Sequence, residues 1–413
     1  MFVRIRDCQV VSKQISSAQA ASLIRDRDTV TIAGFVGVGV PEEILIALQK
    51  RFLETAVPTD LTLLFAAAPG DGKDRGLNRL AHKGLIRRTI GGHYGLAPKL
   101  GSLALNGDIE AYNFPQGVIS HMYRDIASGK SGVLTKVGMD TFADPRIEAG
   151  KINSACKDDL VHLIDVRGEE FLFYEAPKVD VAIIRGTTAD ADGNISMERE
   201  ALRLDNLAQA QAAKNSGGIV IVQVERVVAK GEISSRQVEI PGALVDAFVV
   251  AEPENHVQTF ATNYSPYLDG SARKDLSESK EFPLSERKII ARRAALELPN
   301  EGGLVNLGIG VPEGVAKVAA EQGWLDKMTL TAEPGVIGGQ PAGGLDFGTA
   351  YNTDAILTQN QQFDFYDGGG LTLAVLGMAE VDAAGNVNVS RFGTRLPGAG
   401  GFINISQNAH NVV

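Results

Sequence analysis

The chain has 413 residues, 44% hydrophobic, 22% charged and 6% aromatic, and Lys+Arg 40 against Asp+Glu 50 leaves a net charge of −10. An acidic balance with no long run of one sign argues against a nucleic-acid binder and against a protein held on an anionic membrane. The length fits two to three domains of about 150 residues each, and 46 glycines (about 11%, against a usual share of about 7%) fit the many tight strand-to-helix turns of an α/β enzyme.

The opening MFVRIRDCQVVSKQ lacks the apolar core of a secretory signal, and no apolar run reaches the about 18 residues of a membrane span. Cys8 and Cys156 stand at no motif spacing, and the six histidines form no H-x-H or H-E-x-x-H pair, so neither a disulfide framework nor a bound metal is expected. A cytoplasmic protein is the resulting expectation. SSAQAASLIRDR (16–27) reads as a helix, followed by a buried strand, a G-x-G-V-P-E turn at Gly37–Glu42 and an amphipathic helix. Residues 69–170, with turns of the GGHYG type, read as an insertion in the first half. VDVAIIRGTTADADGNISM (179–197) reads as a buried strand, an Asp-Gly-Asn turn and a short strand. MEREALRLDNLAQAQAAKNSGG (197–218) predicts a helix with Ala201, Leu204, Leu207, Ala208 and Ala212 on one face, stopped by Gly217 and Gly218. GIVIVQVERVV (218–228) then reads as a central strand.

The same order returns later. LSERKIIARRAALEL and GGLVNLGIGVPEGVAKVAA (302–320) repeat the helix, strand, turn and helix, and LTLAVLGMAEVDAAGNVNV (371–389) repeats the strand and Gly-Asn turn. The polar stretch around 262–283 separates the two halves. The reading is an α/β protein of mostly parallel sheets covered on both sides: an N-terminal domain over 1–265, a linker over 266–284 and a C-terminal domain over 285–413, related by internal repeat. The final Val-Val of GFINISQNAHNVV resembles the opening of another strand, so a further C-terminal portion is expected.

Several turns could carry chemistry. MTLTAEPGVIGG (328–339) delivers Glu333 to a strand end, the edge at which α/β proteins bind ligands, among glycines that admit a bulky substrate. On spacing alone the plainer reading is a polar residue before a turn. The two G-x-G-V-P-E turns could offer N–H groups to a phosphate, although Glu42 and Glu313 would oppose one there. An incomplete G-x-G-x-x-G and the absence of a P-loop pattern leave NAD and ATP unsupported. P-G-A-G-G-F (397–402) could aim successive N–H groups at an oxyanion or be a flexible turn. Y-N-F-P-Q-G (112–117) places the Gln116 amide in a Pro-Gly turn, and DFYDGGG (364–370) reads as a turn with Asp367 as a local acceptor. With no G-x-S-x-G, a group-transfer nucleophile would be a carboxylate.

Six blocks in order, GFVGVGVPEEIL, EAYNFPQGVISHMYRDIASGKSGVLTKVGMDTFADPR, REALRLDNLAQAQAAKNSGGIVIVQVE, TAEPGVIGG, DFYDGGG and GNVNVSRFGTRLPGAGGFINISQN, resemble family I CoA-transferases of the acetate/propionate/acetoacetate type across essentially the whole chain. The resemblance implies two tandem CoA-transferase domains, and CoA transfer between a short-chain acyl-CoA and a free carboxylic acid. It puts the nucleophile on Glu333, the glycine-rich loop on Gly398, Gly400 and Gly401, the P-Q-G turn on Pro115, Gln116 and Gly117, and CoA contacts on Gly308, Gly310 and Asn404. The Gly400 and Gly401 N–H groups, with Gln116, become the expected oxyanion donors. CoA thioesters enter as substrates with no separate cofactor, and a homo-oligomer, dimer or tetramer, is expected. Ala332-Glu333-Pro334-Gly335 stands where related 3-oxoacid transferases carry S-E-N-G, and Pro41-Glu42-Glu43 where they carry P-E-N. Acyl-CoA hydrolysis and a non-catalytic ligand-sensing role are the alternative readings.

Overall fold

Apolar runs without polar alternation become parallel strands covered on both faces. The computed structural model describes residues 12–276, 282–300 and 302–413; Cys8 and residues 277–281 of the expected linker lie outside them. Seven parallel strands stand in the order Ala247–Val250, Ile219–Val224, Val181–Arg185, Thr29–Ile32, Leu61–Phe65, Ile86–Gly91 and Glu110–Asn113. Successive residues of a strand face opposite sides, and two cores result. Leu64, Ala182, Ile184 and Val222 pack with Val118, Ile119 and Met122 of helix Gln116–Ala127. Leu63, Val181, Ile183 and Ile221 pack with Ile44, Leu45 and Leu48 of helix Glu42–Thr55.

The chain enters this sheet at Thr29–Ile32, winds outward to Glu110–Asn113, then returns to the opposite side of its first strand at Val181–Arg185. The loops leaving Ile32, Phe65, Gly91 and Asn113 therefore emerge along one edge, beside a reversal of winding direction.

The second half repeats this arrangement on a smaller sheet, ordered Ala355–Ile356, Val336–Ile337, Thr329–Ala332, Leu304–Leu307 and Leu373–Val375. Leu304–Leu307 pairs in parallel with Thr329–Ala332 and Leu373–Val375, as Thr29–Ile32 does with Leu61–Phe65 and Val181–Arg185. The repeat reaches single hydrogen bonds. Asp190 accepts from the Asn194 N–H and Nδ2, both at 2.9 Å, and Asp382 accepts from the Asn386 N–H at 2.9 Å and Nδ2 at 2.8 Å.

Four details depart from the sequence reading or extend it. Val336–Ile337 and Ala355–Ile356 join the second sheet antiparallel. Residues 69–170 supply two strands of the main sheet before part of the antiparallel sheet of Gly132–Thr135, Val161–Val166 and Glu169–Glu175. The helix predicted from 197 starts only at Asn206. Leu204 has φ 54, a left-handed conformation that no helix interior holds, and Glu200 is drawn to the Arg185 guanidinium at 3.1 Å. At the other end, the Val413 N–H donates to the Ala374 carbonyl at 2.9 Å and the Leu376 N–H to the Val413 carbonyl at 2.8 Å. Residues 411–413 thus run beside Leu373–Val375 as a strand would. No helix among the described residues is long and apolar enough to cross a membrane.

Candidate active site

Parallel strands release their loops at their carboxyl ends, and here the carboxyl ends of the two sheets face each other. Between them lies a cavity of about 200 Å³. Phe35, Val36, Ala67, His93 and Gln116 come from the first half; Asn306, Gly308, Glu333, Phe347, Leu376 and Gly398–Gly401 come from the second.

Glu333 follows strand Thr329–Ala332 directly, and the turn behind it is closed by the Gly335 N–H on the Ala332 carbonyl at 3.1 Å. Gly335 has φ 119, and a Cβ there would fall 2.2 Å from the Leu357 carbonyl oxygen, so glycine is required. The protein around the Glu333 carboxyl pushes its pKa above the ordinary glutamate value, opposed by its own backbone N–H and by the Asn306 side chain, which favour the ion. Asn306 is fully buried, with Nδ2 3.3 Å from the Tyr366 hydroxyl. That hydroxyl donates to Thr331 Oγ1 at 2.8 Å and accepts from Gln362 Nε2 at 3.0 Å. A hydrogen-bonded polar layer thus underlies the carboxylate, with Asn306 Oδ1 and Gln362 Oε1 left without a partner among the described residues.

The glycine-rich loop wraps over it. The Gly398 N–H donates to the Ser390 carbonyl at 2.9 Å, the Ala399 N–H to Asn113 Oδ1 at 2.9 Å and the Gly400 N–H to the Gly92 carbonyl at 2.7 Å. Three of the four consecutive amides are therefore committed, those of Ala399 and Gly400 to holding the loop against the first half and that of Gly398 to Ser390 within the second. The Gly401 N–H alone has no acceptor among the described residues, and a Cβ at Gly401 would lie 3.6 Å from Glu333 Cγ. Of the expected pair of donors, Gly400 and Gly401, the Gly400 amide is taken by the Gly92 carbonyl.

Gln116 opens helix Gln116–Ala127 and is 2% exposed. Its backbone N–H donates to the Gly400 carbonyl at 2.9 Å, and its Nε2 lies 3.4 Å from Gln359 Oε1. Gly308 reaches the cavity. Gly310 does not: it is exposed, and its N–H is taken by Glu313 Oε1 at 2.8 Å, as a helix-start carboxylate should do. Asn404, expected at CoA, is fully buried with its amide committed. Its Oδ1 accepts the Gly117 N–H at 3.0 Å, and its Nδ2 donates to both Asp367 oxygens at 2.9 and 3.0 Å. It is a strut between the halves, behind the cavity wall, and Asp367 is a partner across that strut at the end of a helix.

Sequence reasoning missed two polar lining side chains. His93 was hidden in a GGHYG turn, though it follows strand Ile86–Gly91 and the strand-end rule that selected Glu333 applies equally to it. Burial lowers its imidazole to about 4, so it is neutral at pH 7. Asn306 lies within an apolar strand and carried no signal of its own.

Residues 14–251 match the family model described as Coenzyme A transferase, more than half of the chain. The chain belongs to the coenzyme A transferase family. Over 409 residues it is 47% identical to caffeate CoA-transferase of Acetobacterium woodii, covering 98% of this chain and 78% of that protein. Over 401 residues it is 39% identical to acetate CoA-transferase YdiF of Escherichia coli (strain K12), covering 97% and 75%. The crystal structure of the YdiF thioester complex with CoA from Escherichia coli O157:H7 superposes with a TM-score of 0.91 at 37% identity, covering 97% of this chain and 75% of that one. The six sequence blocks pointed to this family, and transfer of CoA is the reaction class of the enzyme.

Proposed function

We propose that this transferase exchanges CoA between a short-chain acyl-CoA and a free carboxylic acid by ping-pong chemistry through Glu333. The observation that carries the reading is a strand-end carboxylate in the cavity between the halves, beside Gly401, whose N–H has no acceptor among the described residues. A Glu333 oxygen attacks the donor thioester carbonyl, and the tetrahedral oxyanion collapses by expelling CoA thiolate, leaving a mixed anhydride. The thiolate attacks the Glu333 carbonyl carbon and expels the first acid as its carboxylate, which leaves a glutamyl-CoA thioester. An incoming carboxylate runs both steps backwards and regenerates Glu333. No proton need move, so no general base is required. Poor solvation of the carboxylate makes it a stronger nucleophile than an exposed one, and substrate filling the cavity would keep water from the thioester. The Gly401 N–H and the Gln116 amide are the donors suited to each oxyanion.

The wall also selects the acyl group. No lysine or arginine lines the cavity among the described residues, and its histidine is neutral. A second carboxylate on the acyl chain would be buried without a partner, so acetyl, propionyl, butyryl and acetoacetyl groups suit it and succinyl does not. We also infer a cytoplasmic homo-oligomer, dimer or tetramer, which light scattering of the purified enzyme checks. The mechanism is tested by incubation with propionyl-CoA, borohydride reduction and mass spectrometry of the peptide holding Glu333. Reduction of that side chain is expected; an unmodified peptide in an enzyme turning over fully overturns the mechanism. Thioester loss without an acceptor acid would instead indicate hydrolysis.

A further inference from the structure

Three helix starts converge on one buried carboxylate that the mechanism does not use. Asp205 precedes helix Asn206–Asn215 and is 4% exposed. One of its oxygens accepts Ser120 Oγ at 2.7 Å, from the first turns of helix Gln116–Ala127. The other accepts Gln359 Nε2 at 2.7 Å, from the first residue of helix Gln359–Asp367 in the second half. The Asn360 backbone N–H is a further donor, and the nearby His121 ring favours the ion. Burial disfavours the ion and raises the carboxyl to about 6, these donors work against that, and the group is ionised at pH 7.

The direction of these bonds matters for the cavity. An ionised carboxylate can only accept, so Gln359 must turn its NH2 toward Asp205 and its carbonyl oxygen toward Gln116. That oxygen lies 3.4 Å from Gln116 Nε2, so the Gln116 amide in turn presents its NH2 on that side and keeps one N–H for a neighbouring oxyanion. A side chain at 205 that can itself donate removes the constraint, because Gln359 can then reverse and Gln116 can follow it. We propose that Asp205 is a positioning residue for CoA transfer: acting through Gln359, it fixes which end of the Gln116 amide meets the reacting carbonyl. The inference rests on the reading of Gln116 as an oxyanion donor. Asp205 itself does not line the cavity and touches no reacting atom.

The test is a double-mutant cycle on the full chain, with propionyl-CoA as donor and acetate as acceptor, reading kcat and KM separately. Gln116→Ala is expected to lower kcat about 100-fold, the loss typical of one oxyanion donor. Asp205→Asn, which keeps size and shape, is expected to lower kcat about tenfold while KM stays within about threefold, and to cost nothing further in the Gln116→Ala background. A wild-type kcat in Asp205→Asn, or losses that multiply in the double variant, overturns the inference. A wild-type kcat in Gln116→Ala removes the oxyanion role of Gln116 and the positioning role with it. Gln359→Met cuts the link while leaving the Asp205 carboxylate in place, and serves if Asp205→Asn does not fold; the same loss and the same non-additivity with Gln116→Ala are expected.

Discussion

At Glu333, position and protonation state are decided by different things. The Pro-Gly turn after an apolar strand puts the carboxyl at a ligand-binding edge, and this much is legible in TLTAEPG. Its environment is not, because Asn306 and Gly401 come from 27 residues before and 68 residues after it. Glu333→Gln is expected to abolish the reducible adduct and to lower kcat on the order of 10⁴-fold or more, the scale of losing a nucleophilic machinery residue. Burial holds the Glu333 carboxyl above the ordinary value, so protonation removes the nucleophile as pH falls. The acid limb of kcat/KM is therefore expected at a pH above that of an exposed glutamate, as a pH–rate profile measures. Gly335→Ala places a Cβ against the Leu357 carbonyl at φ 119, a strained conformation worth about 1–3 kcal/mol. A lower melting temperature and a lower kcat together are the expected outcome.

Among the elements, helix Asn206–Asn215 shows where periodicity misleads. Ala201 and Leu204 continue the apolar pattern, and both are buried, but they pack from a loop whose direction is set by the Arg185–Glu200 pair and by Leu204 in the left-handed region. The benefit of that shortened helix is the placement of Asp205 at its start. Burial raises the Asp205 carboxyl from 3.8 to about 6. A raised acid binds its proton more tightly in the folded state, so stability is lost as pH rises from about 4 to 6. Two pH units at about 1.4 kcal/mol each make this about 3 kcal/mol. Urea unfolding at pH 4 and pH 8 is expected to show a smaller loss in Asp205→Asn than in the wild type, the remainder coming from Asp367 and Glu333, which burial also raises. A variant more stable at pH 8 and slower in turnover separates a positioning residue from a structural one.

For the whole molecule, the two halves are one working unit. The Ala399 and Gly400 amides donate to Asn113 and Gly92, Asn404 bridges Gly117 and Asp367, and Arg124 Nη1 meets both Asp364 oxygens at 2.5 and 2.6 Å. Asn404→Ala removes an acceptor from a helix N-terminus and the donor to a buried carboxylate, a cost of about 1–3 kcal/mol. Both a lower unfolding midpoint and a lower kcat are expected, since the same bond holds Gln116 in place. The cavity formed between the halves excludes paired charge, so kcat/KM for propionyl-CoA is expected to exceed that for succinyl-CoA on the order of 10²-fold or more. Steady-state assays with the two donors measure this directly.

The sequence by itself determined the parallel α/β class, the internal repeat, the family and the place of Glu333 at a strand end. Each of these depends on local spacing: apolar runs, glycine turns and a strand-end glutamate. Only the tertiary structure decided which amides stay free. Gly400 and Gly401 are neighbours in one glycine run, yet one amide donates to Gly92 and the other has no acceptor among the described residues. It likewise moved Asn404 from the expected CoA contacts to the strut between the halves, and joined Asp205, Gln359 and Gln116. Hydrogen-bond partners far apart in sequence meet only when two sheets are brought edge to edge, and an amide's role is fixed by the acceptor it meets there.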